Sequence, residues 1–445
     1  MRKSLYLYTA TAALGGLLFG FDTAVINGAM PFFTKFFNIS GAAQGWAVSS
    51  ALVGCVFGAL LVGRPGDRYG RRAMLMVLAL LFLVSALGTG LAHRFNTFIV
   101  FRFLGGLAVG GSSVLAPMYI SEIAPPKMRG RLTVTFQMAI VIGVLVAFFS
   151  DWLLLDTGRN NWRYMFLAEA LPAVLFFGML LFVKRSPRWL VKQGRIDEAR
   201  QVITTVDPEA DTEKMLREIQ ESLDQEVLSK NVYLFRKPYL KLMLIGISIG
   251  FFNQFTGINT IMYYSTDIFR AAGFSTDSAV GQVVLIGLVN LLFTIIAMGI
   301  IDRIGRKKML LIGSLGMSVF LAIFSWAYLG QHFEGSLLLF LLIGFIAFFA
   351  ASQGAVIWVL LAEMFPNNIR ARGTSVGSFS HWFFNVLISF LYPVIVKHFH
   401  GPAGTGYVFL LYAAITFISF FYFRRFLTET KGHSLEELEK VMMKK

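Results

Sequence analysis

One cysteine, 12 prolines and 25 acids are all that 445 residues supply of those types. The single Cys55 excludes an internal disulfide framework, and no redox compartment can be read from it. Charged residues make up 15% of the chain, against roughly 25% in soluble domains. Such a low share excludes disorder and a solvated globular surface. Also missing are a Walker loop, a His/Cys metal spacing and a strand-to-helix nucleophile elbow, so an enzyme reading has no parts to build on. No metal, cofactor or nucleic-acid partner is expected. A cleavable leader is not expected either: Arg2 and Lys3 precede an apolar stretch from about Leu5 to Met30 that contains Asp22 and no small-residue cleavage site.

Hydrophobic residues, by contrast, reach 56%, with 45 phenylalanines and a mean hydropathy of +0.66. Exposed to water, this much apolar surface would aggregate, so the natural solvent is a lipid bilayer. A membrane-crossing helix needs about 20 mostly apolar residues. The sequence predicts twelve, at roughly 7–30, 43–63, 73–92, 97–119, 132–152, 163–183, 239–264, 279–301, 308–329, 336–361, 374–396 and 405–427. The predicted class is an all-α membrane protein. Its divisions are an N-terminal six-helix half (1–183), a linker (184–238), a C-terminal six-helix half (239–427) and a tail (428–445). Ile196, Ala199, Val202 and Ile203, and again Met215, Leu216, Ile219 and Leu223, repeat at helical spacing. The linker therefore reads as short amphipathic helices on the inner face, with a flexible connector as the alternative.

The net charge of +15 reports orientation. With the N-terminus inside, the inner segments hold Arg2, Lys3, Arg64, Arg68, Arg71, Arg72, Lys127, Arg129, Arg131, Arg303, Arg306, Lys307, Lys308, Arg370, Arg372 and the basic tail. The outer segments hold only Lys35, Arg94, Arg159, Arg163, Arg270 and Lys397. The positive-inside rule then places both termini in the cytoplasm.

The halves repeat. Asp67-Arg68-Tyr69-Gly70-Arg71-Arg72 returns as Asp302-Arg303-Ile304-Gly305-Arg306-Lys307, and Glu122-Ile123-Ala124-Pro125 with Arg129 and Arg131 returns as Glu363-Met364-Phe365-Pro366 with Arg370 and Arg372. Parallel repeats create a central interface and a rocking axis. Asp67, Arg71, Glu122, Arg131, Asp302, Arg306, Glu363 and Arg372 are expected to pair across the halves and latch the inner mouth. Topology signal with helix capping is the plainer alternative.

These motifs identify a resemblance. Gly63 to Arg72, Gly299 to Lys308, Pro117-Met118-Tyr119-Ile120-Ser121-Glu122, Ser186-Pro187-Arg188-Trp189-Leu190, Asn253-Gln254-Phe255-Thr256-Gly257-Ile258-Asn259 and Glu429-Thr430-Lys431-Gly432 resemble those of a sugar porter of the major facilitator superfamily. The pattern is similar to that of its bacterial xylose–proton symporter and of animal glucose facilitators. The resemblance covers essentially the whole chain.

Ionisable groups inside apolar spans are costly and mark functional candidates. Asp22, Arg102 and Glu169 are the three here. Asp22 and Arg102 can compensate one another, and hydrocarbon surroundings favour the neutral carboxyl, so the pair can act as a proton switch or as a fixed structural bridge. The resemblance implies the former: an Asp after the Gly-aromatic pair of span 1 (Gly20-Phe21-Asp22) marks proton-coupled porters. Glu169 matches an acid of the xylose symporter that the facilitators lack.

A neutral polyol calls for uncharged groups that both donate and accept. Gln137, Asn253, Gln254, Asn259, Asn290 and Asn385 place amides within spans, His381 shares a helix face with Asn385, and Trp358 and Trp382 offer flat apolar surfaces. Amides that glue membrane helices together are the competing account. By resemblance Phe19, Gln137, Gln254, Asn259, Asn290, Trp358 and Trp382 line a sugar site, Asn253 joins them, and Tyr263 and Tyr264 form an outer gate; an interfacial aromatic belt is the plainer view of that pair. The chain departs from the family at Arg185 (usually an acid), Thr428 and Ala355 (usually proline), Asn253 and Val144 (glutamines in relatives) and His381 (an amide). Sugar identity therefore does not transfer. In span 4, Gly106 and Gly110 form a small-residue face for close helix approach.

The expected function is import of a hexose or pentose with a proton by alternating access. The partners are a monosaccharide, a proton and the bilayer of the cell (inner) membrane, and the expected state is a monomer. A passive uniporter and a non-transporting sensor of the same fold are the alternatives.

Overall fold

The computed structural model describes residues 3–125, 128–208, 211–228, 234, 235, 237, 239–333, 336–365, 369–399 and 402–431. Arg2, Lys127, Pro366, Gly432 and the tail beyond Lys431, all used in reading the sequence, lie outside them, as does the side chain of Arg370.

Among the described residues, the protein is all-helical. Twelve helices are long and apolar enough to cross a membrane: Lys3–Phe37, Ala42–Leu61, Arg71–Gly90, Phe95–Ile123, Arg129–Leu153, Asn161–Leu181, Leu240–Ala271, Thr276–Ile304, Arg306–Leu329, Leu337–Leu361, Arg372–His398 and Pro402–Phe426. They are numbered here as spans 1 to 12. Each overlaps its predicted segment, and spans 1, 4, 7 and 8 extend several residues further.

Four spans are interrupted, and three of the interruptions fall at candidate residues. Span 1 breaks at Val25, just past Asp22, into Lys3–Ala24 and Ile26–Phe37. Span 6 breaks at Glu169 itself. Span 7 ends its first helix at Gln254 and restarts at Ile258. Gly257 between them has φ +81°, a left-handed conformation that glycine adopts without strain. Span 10 carries a π turn, Ala350–Gly354, of the kind that concentrates at functional sites. It ends at Gly354-Ala355, where the sequence departs from the Gly-Pro usual in the family it resembles.

The chain forms two compact units. The first comprises Met1–Val25, Ser50–Ser150 and Arg159–Asn231; the second comprises Ile26–Ser49, Asp151–Gly158 and Val232–Lys445. In the first, span 3 packs on span 4, and Lys3–Ala24 packs on spans 4 and 6. A Cβ added at Gly106 or Gly110 would fall on the main-chain oxygen of Ala51 or Cys55. The small-residue face thus sets spans 2 and 4 backbone to backbone. In the second unit, span 9 packs on span 12, and Leu240–Gln254 on span 11.

The described part of the linker holds three helices, Pro187–Lys192, Ile196–Val206 and Thr212–Leu228. Ala199, Val202, Ile203, Leu216 and Leu223 are buried, as the spacing predicts, whereas Ile196 is exposed at the first turn. Ser186 starts the first of these helices by accepting a hydrogen bond from the Trp189 amide at 3.2 Å.

Candidate functional site

In the first unit, Asp22 lies at the end of the first helix of span 1, one turn before the break. Arg102 of span 4 donates from Nη1 to Asp22 Oδ1 at 2.8 Å and to the Asp22 main-chain oxygen at 3.1 Å. The two side chains are 1% and 2% exposed. Glu169, equally buried, stands within hydrogen-bonding reach of Asp22. Two ionised carboxylates only accept, so a bond between them needs a proton held by the pair. Asp22 Oδ2 and Glu169 Oε1 have no nitrogen or hydroxyl partner among the described residues. The three groups are neutral together when they share one proton. They carry a charge of −1 without it and +1 with a second, and charge is what a dry interior resists.

Aromatic rings close this site. The Arg102 guanidinium lies 5.6 Å from the Phe166 ring centre, and Phe98 and Trp162 pack edge-on against Phe166. Gly105 supplies clearance, since a Cβ there would come 3.0 Å from Asp22 Oδ1.

In the second unit, the break in span 7 organises an amide network. Asn259 Nδ2 donates to Gln254 Oε1 at 2.6 Å, and Gln254 Nε2 donates to Asn253 Oδ1 at 3.1 Å. The same Nε2 lies 3.0 and 3.1 Å from the two ring nitrogens of His381. Asn253 Nδ2 reaches Gln353 Oε1 at 3.3 Å. Trp358 packs at a tilt against His381 with ring centres 4.8 Å apart, and Trp382 meets that imidazole edge-on at 6.0 Å. Every member is uncharged or titratable to neutral, and the network mixes donors and acceptors. The arrangement suits a neutral hydroxylated guest and disfavours an ion.

A second cluster follows along spans 7 and 11. Asn385 Nδ2 donates to the Tyr263 hydroxyl at 3.4 Å and accepts from Ser389 Oγ at 3.1 Å, while the Tyr264 hydroxyl donates to the Ser389 main-chain oxygen at 2.7 Å. Both tyrosines are buried. Asn290 of span 8, 9% exposed, makes no hydrogen bond among the described residues. Phe19 and Gln137 belong to the first unit and are half-buried there.

The repeated loop charges form local clusters. Among the described residues, the ion pairs of Arg71 and Arg306 run within each half. Arg71 holds Asp67 at 2.7 Å and Glu122 at 3.0 Å, and Ser186 donates its hydroxyl to the other Glu122 oxygen. In the second half, Arg306 holds Asp302 at 2.7 Å and Glu363 at 3.0 Å, and Thr430 donates to the other Glu363 oxygen at 2.6 Å. Spacing alone places an acid beside its i+4 arginine but does not say which helix bundle supplies the third partner. Arg131 and Arg372 are exposed.

Two participants escaped the sequence reading. Gln353, fully buried, enters the network because the π turn inserts an extra residue into span 10 and displaces the helical periodicity. Asn27, just past the break in span 1, donates to the Met262 carbonyl at 2.6 Å and accepts from the Thr266 amide at 3.0 Å. A buried amide inside an apolar run was the available signal for both.

Comparisons with known proteins identify the family and the fold. Residues 8–442 match the family described as "Sugar (and other) transporter". The chain is 36% identical over 444 residues to an arabinose-proton symporter of Bacillus subtilis, covering 98% of this chain and 95% of that one. It is 34% identical to a D-xylose-proton symporter of Escherichia coli, covering 98% and 96%. The inward-open structure of an Escherichia coli xylose transporter superimposes with a TM-score of 0.86 at 32% identity, covering 98% of this chain and 99% of that one.

Proposed function

The chain belongs to the sugar transporter family of the major facilitator superfamily, a multi-pass membrane transporter and not an enzyme, and on that premise we propose that it imports a monosaccharide together with a proton by alternating access. The observation that carries the coupling is the buried trio of Asp22, Arg102 and Glu169, in which an ion pair and a second carboxyl meet at the breaks of spans 1 and 6. When a proton reaches Asp22, its attraction to Arg102 weakens, and the helices the pair ties together, Lys3–Ala24 and span 4, are freed to shift. When the proton leaves, the bridge re-forms. The uncharged network around Gln254, with Trp358 alongside, would hold the sugar hydroxyls and ring, and the family resemblance makes Phe19, Gln137 and Asn290 further candidates for contacting the sugar. Tyr263 and Tyr264 would close the outer side. The triads around Arg71 and Arg306 would brace each half on the inner side.

The energetics suffice. One charge crossing 100 mV yields about 2.3 kcal/mol, which sustains a roughly fifty-fold gradient of a neutral solute. We place the protein in the cell membrane with both termini in the cytoplasm, from the excess of Lys and Arg in the connectors on that side. We keep the division read from the sequence, six spans to each half joined by the linker helices, as part of this proposal.

The test is uptake of labelled pentoses and hexoses into proteoliposomes. An inward pH gradient should drive one of them above equilibrium, and a protonophore should collapse that excess. Uptake that only ever equilibrates would make the protein a uniporter, and failure of every monosaccharide to enter or compete would remove the sugar assignment.

A further inference from the structure

A cavity of about 320 Å³ lies beside the linker helices of the first unit, lined by Arg72, Lys184, Arg185 and Arg195 with Glu198 as its one acid. Its volume falls in the range of small-molecule sites, about 300–1,000 Å³. Glu198 is already engaged, accepting from Arg195 Nε at 2.6 Å. Arg72 spends two of its five donors, on Nε and Nη2, on the carbonyls of Leu180 and Leu181 at 2.9 Å each. Arg185 stacks on Trp189 with its guanidinium carbon 4.7 Å from the ring centre. No carboxylate among the described residues pairs with Lys184 or Arg185, so the lining carries an uncompensated charge of +3.

The internal repeat shows what is missing. Ser186 binds Glu122 as Thr430 binds Glu363, so Arg185 occupies the position of Glu429. In the second half, Glu429 accepts from the main-chain amides of Arg306 at 2.8 Å and Lys307 at 3.1 Å, where span 9 begins. The first half therefore has a cation in place of that carboxylate, beside the start of span 3. An anion from outside the chain would supply the negative charge that Glu429 supplies in the other half.

We propose that this cavity binds a phosphate group carried on an organic molecule. Guanidinium forks match phosphate oxygens in pairs, and Lys184 adds a compact charge. Leu181 and Phe182, at the end of span 6 next to the Arg72 contacts, are 51% and 77% exposed. Apolar surface continuous with a basic recess favours the headgroup of an anionic phospholipid over a soluble phosphate ester. The inference is independent of proton coupling.

The test uses the full chain in an uncharged detergent, titrated calorimetrically with dihexanoyl phosphatidylglycerol, dihexanoyl phosphatidylcholine, glycerol 3-phosphate and inorganic phosphate. Phosphatidylglycerol is expected to bind, phosphatidylcholine to bind at least about tenfold more weakly, and added salt to erode the difference. Arg185→Glu and Lys184→Gln should each weaken phosphatidylglycerol at least about tenfold while leaving the melting temperature and sugar binding in place. Arg185→Gln serves the same comparison if the charge reversal fails to fold. Glycerol 3-phosphate or phosphate binding as tightly, with the same sensitivity to the variants, keeps the site and makes its ligand soluble. Absence of binding by all four, or binding unaffected by the Arg185 and Lys184 variants, overturns the proposal.

Discussion

Arg102 grips Asp22 twice, once at the carboxylate and once at the main-chain oxygen, from a single nitrogen. Only the first of these contacts depends on the charge of Asp22. Asp22→Asn, which mimics the protonated carboxyl, is therefore expected to retain the main-chain contact and sugar exchange across the membrane, while abolishing accumulation driven by a pH gradient. Counterflow and gradient-driven uptake, measured on the same proteoliposomes, separate the two. Accumulation that survives the substitution would remove Asp22 from the coupling step.

Removing the cation should be worse than neutralising the acid. Arg102→Met would leave two carboxyls buried without a counter-charge. Breaking a buried pair in this way costs about 3–5 kcal/mol. Arg102→Met should lower the melting temperature more than Asp22→Asn does, and adding Asp22→Asn to it should restore part of the loss. An equal effect of the two single variants would contradict the trio as described.

Gln254 joins Asn253, Asn259 and His381, so its removal strands several partners at once. Each buried polar group left unpaired costs about 1–3 kcal/mol. Gln254→Leu should raise the sugar Kd at least about tenfold, with Gln353→Leu acting in the same direction through Asn253. Calorimetric titration of the preferred sugar decides it, and an unchanged Kd in Gln254→Leu would move the sugar away from this network.

The two loop triads differ in depth. The Glu122 side chain is 7% exposed and that of Glu363 is 23%. Arg71→Leu therefore abandons a carboxylate with little access to water, and Arg306→Leu abandons one that water can partly solvate. The thermal shift should be larger for Arg71→Leu, and a larger shift for Arg306→Leu would show that the in-half contacts are not what stabilises these loops.

Much of this molecule is legible in its sequence. Spans follow from hydropathy because a bilayer enforces long apolar helices whose backbones satisfy themselves. The linker helices were visible in the spacing of Val202, Ile203, Leu216 and Leu223, and the sealed Asp22–Arg102 pair in the cost of charge within a span. Helix interruptions were harder. The break at Gly257 announces itself through glycine between two amides, but nothing in Ala168-Glu169-Ala170 signals a break, and a π turn shifts the helical register without changing composition. For the triads, the motif located Arg71 and Glu122, and only the folded chain shows that Ser186 and Thr430 complete them.

The interruption in span 7 leaves few loose ends. The Phe255 amide takes the Phe251 carbonyl, the Gly257 amide takes that of Gln254, and the Thr256 hydroxyl takes that of Asn253. The bend thus draws its partners from the chain itself, and a Cβ at Gly257 would collide with the Tyr412 ring. A berth whose main chain is moulded in advance can be refitted for another passenger by exchanging its furnishings alone, which is a short evolutionary route from one sugar to the next.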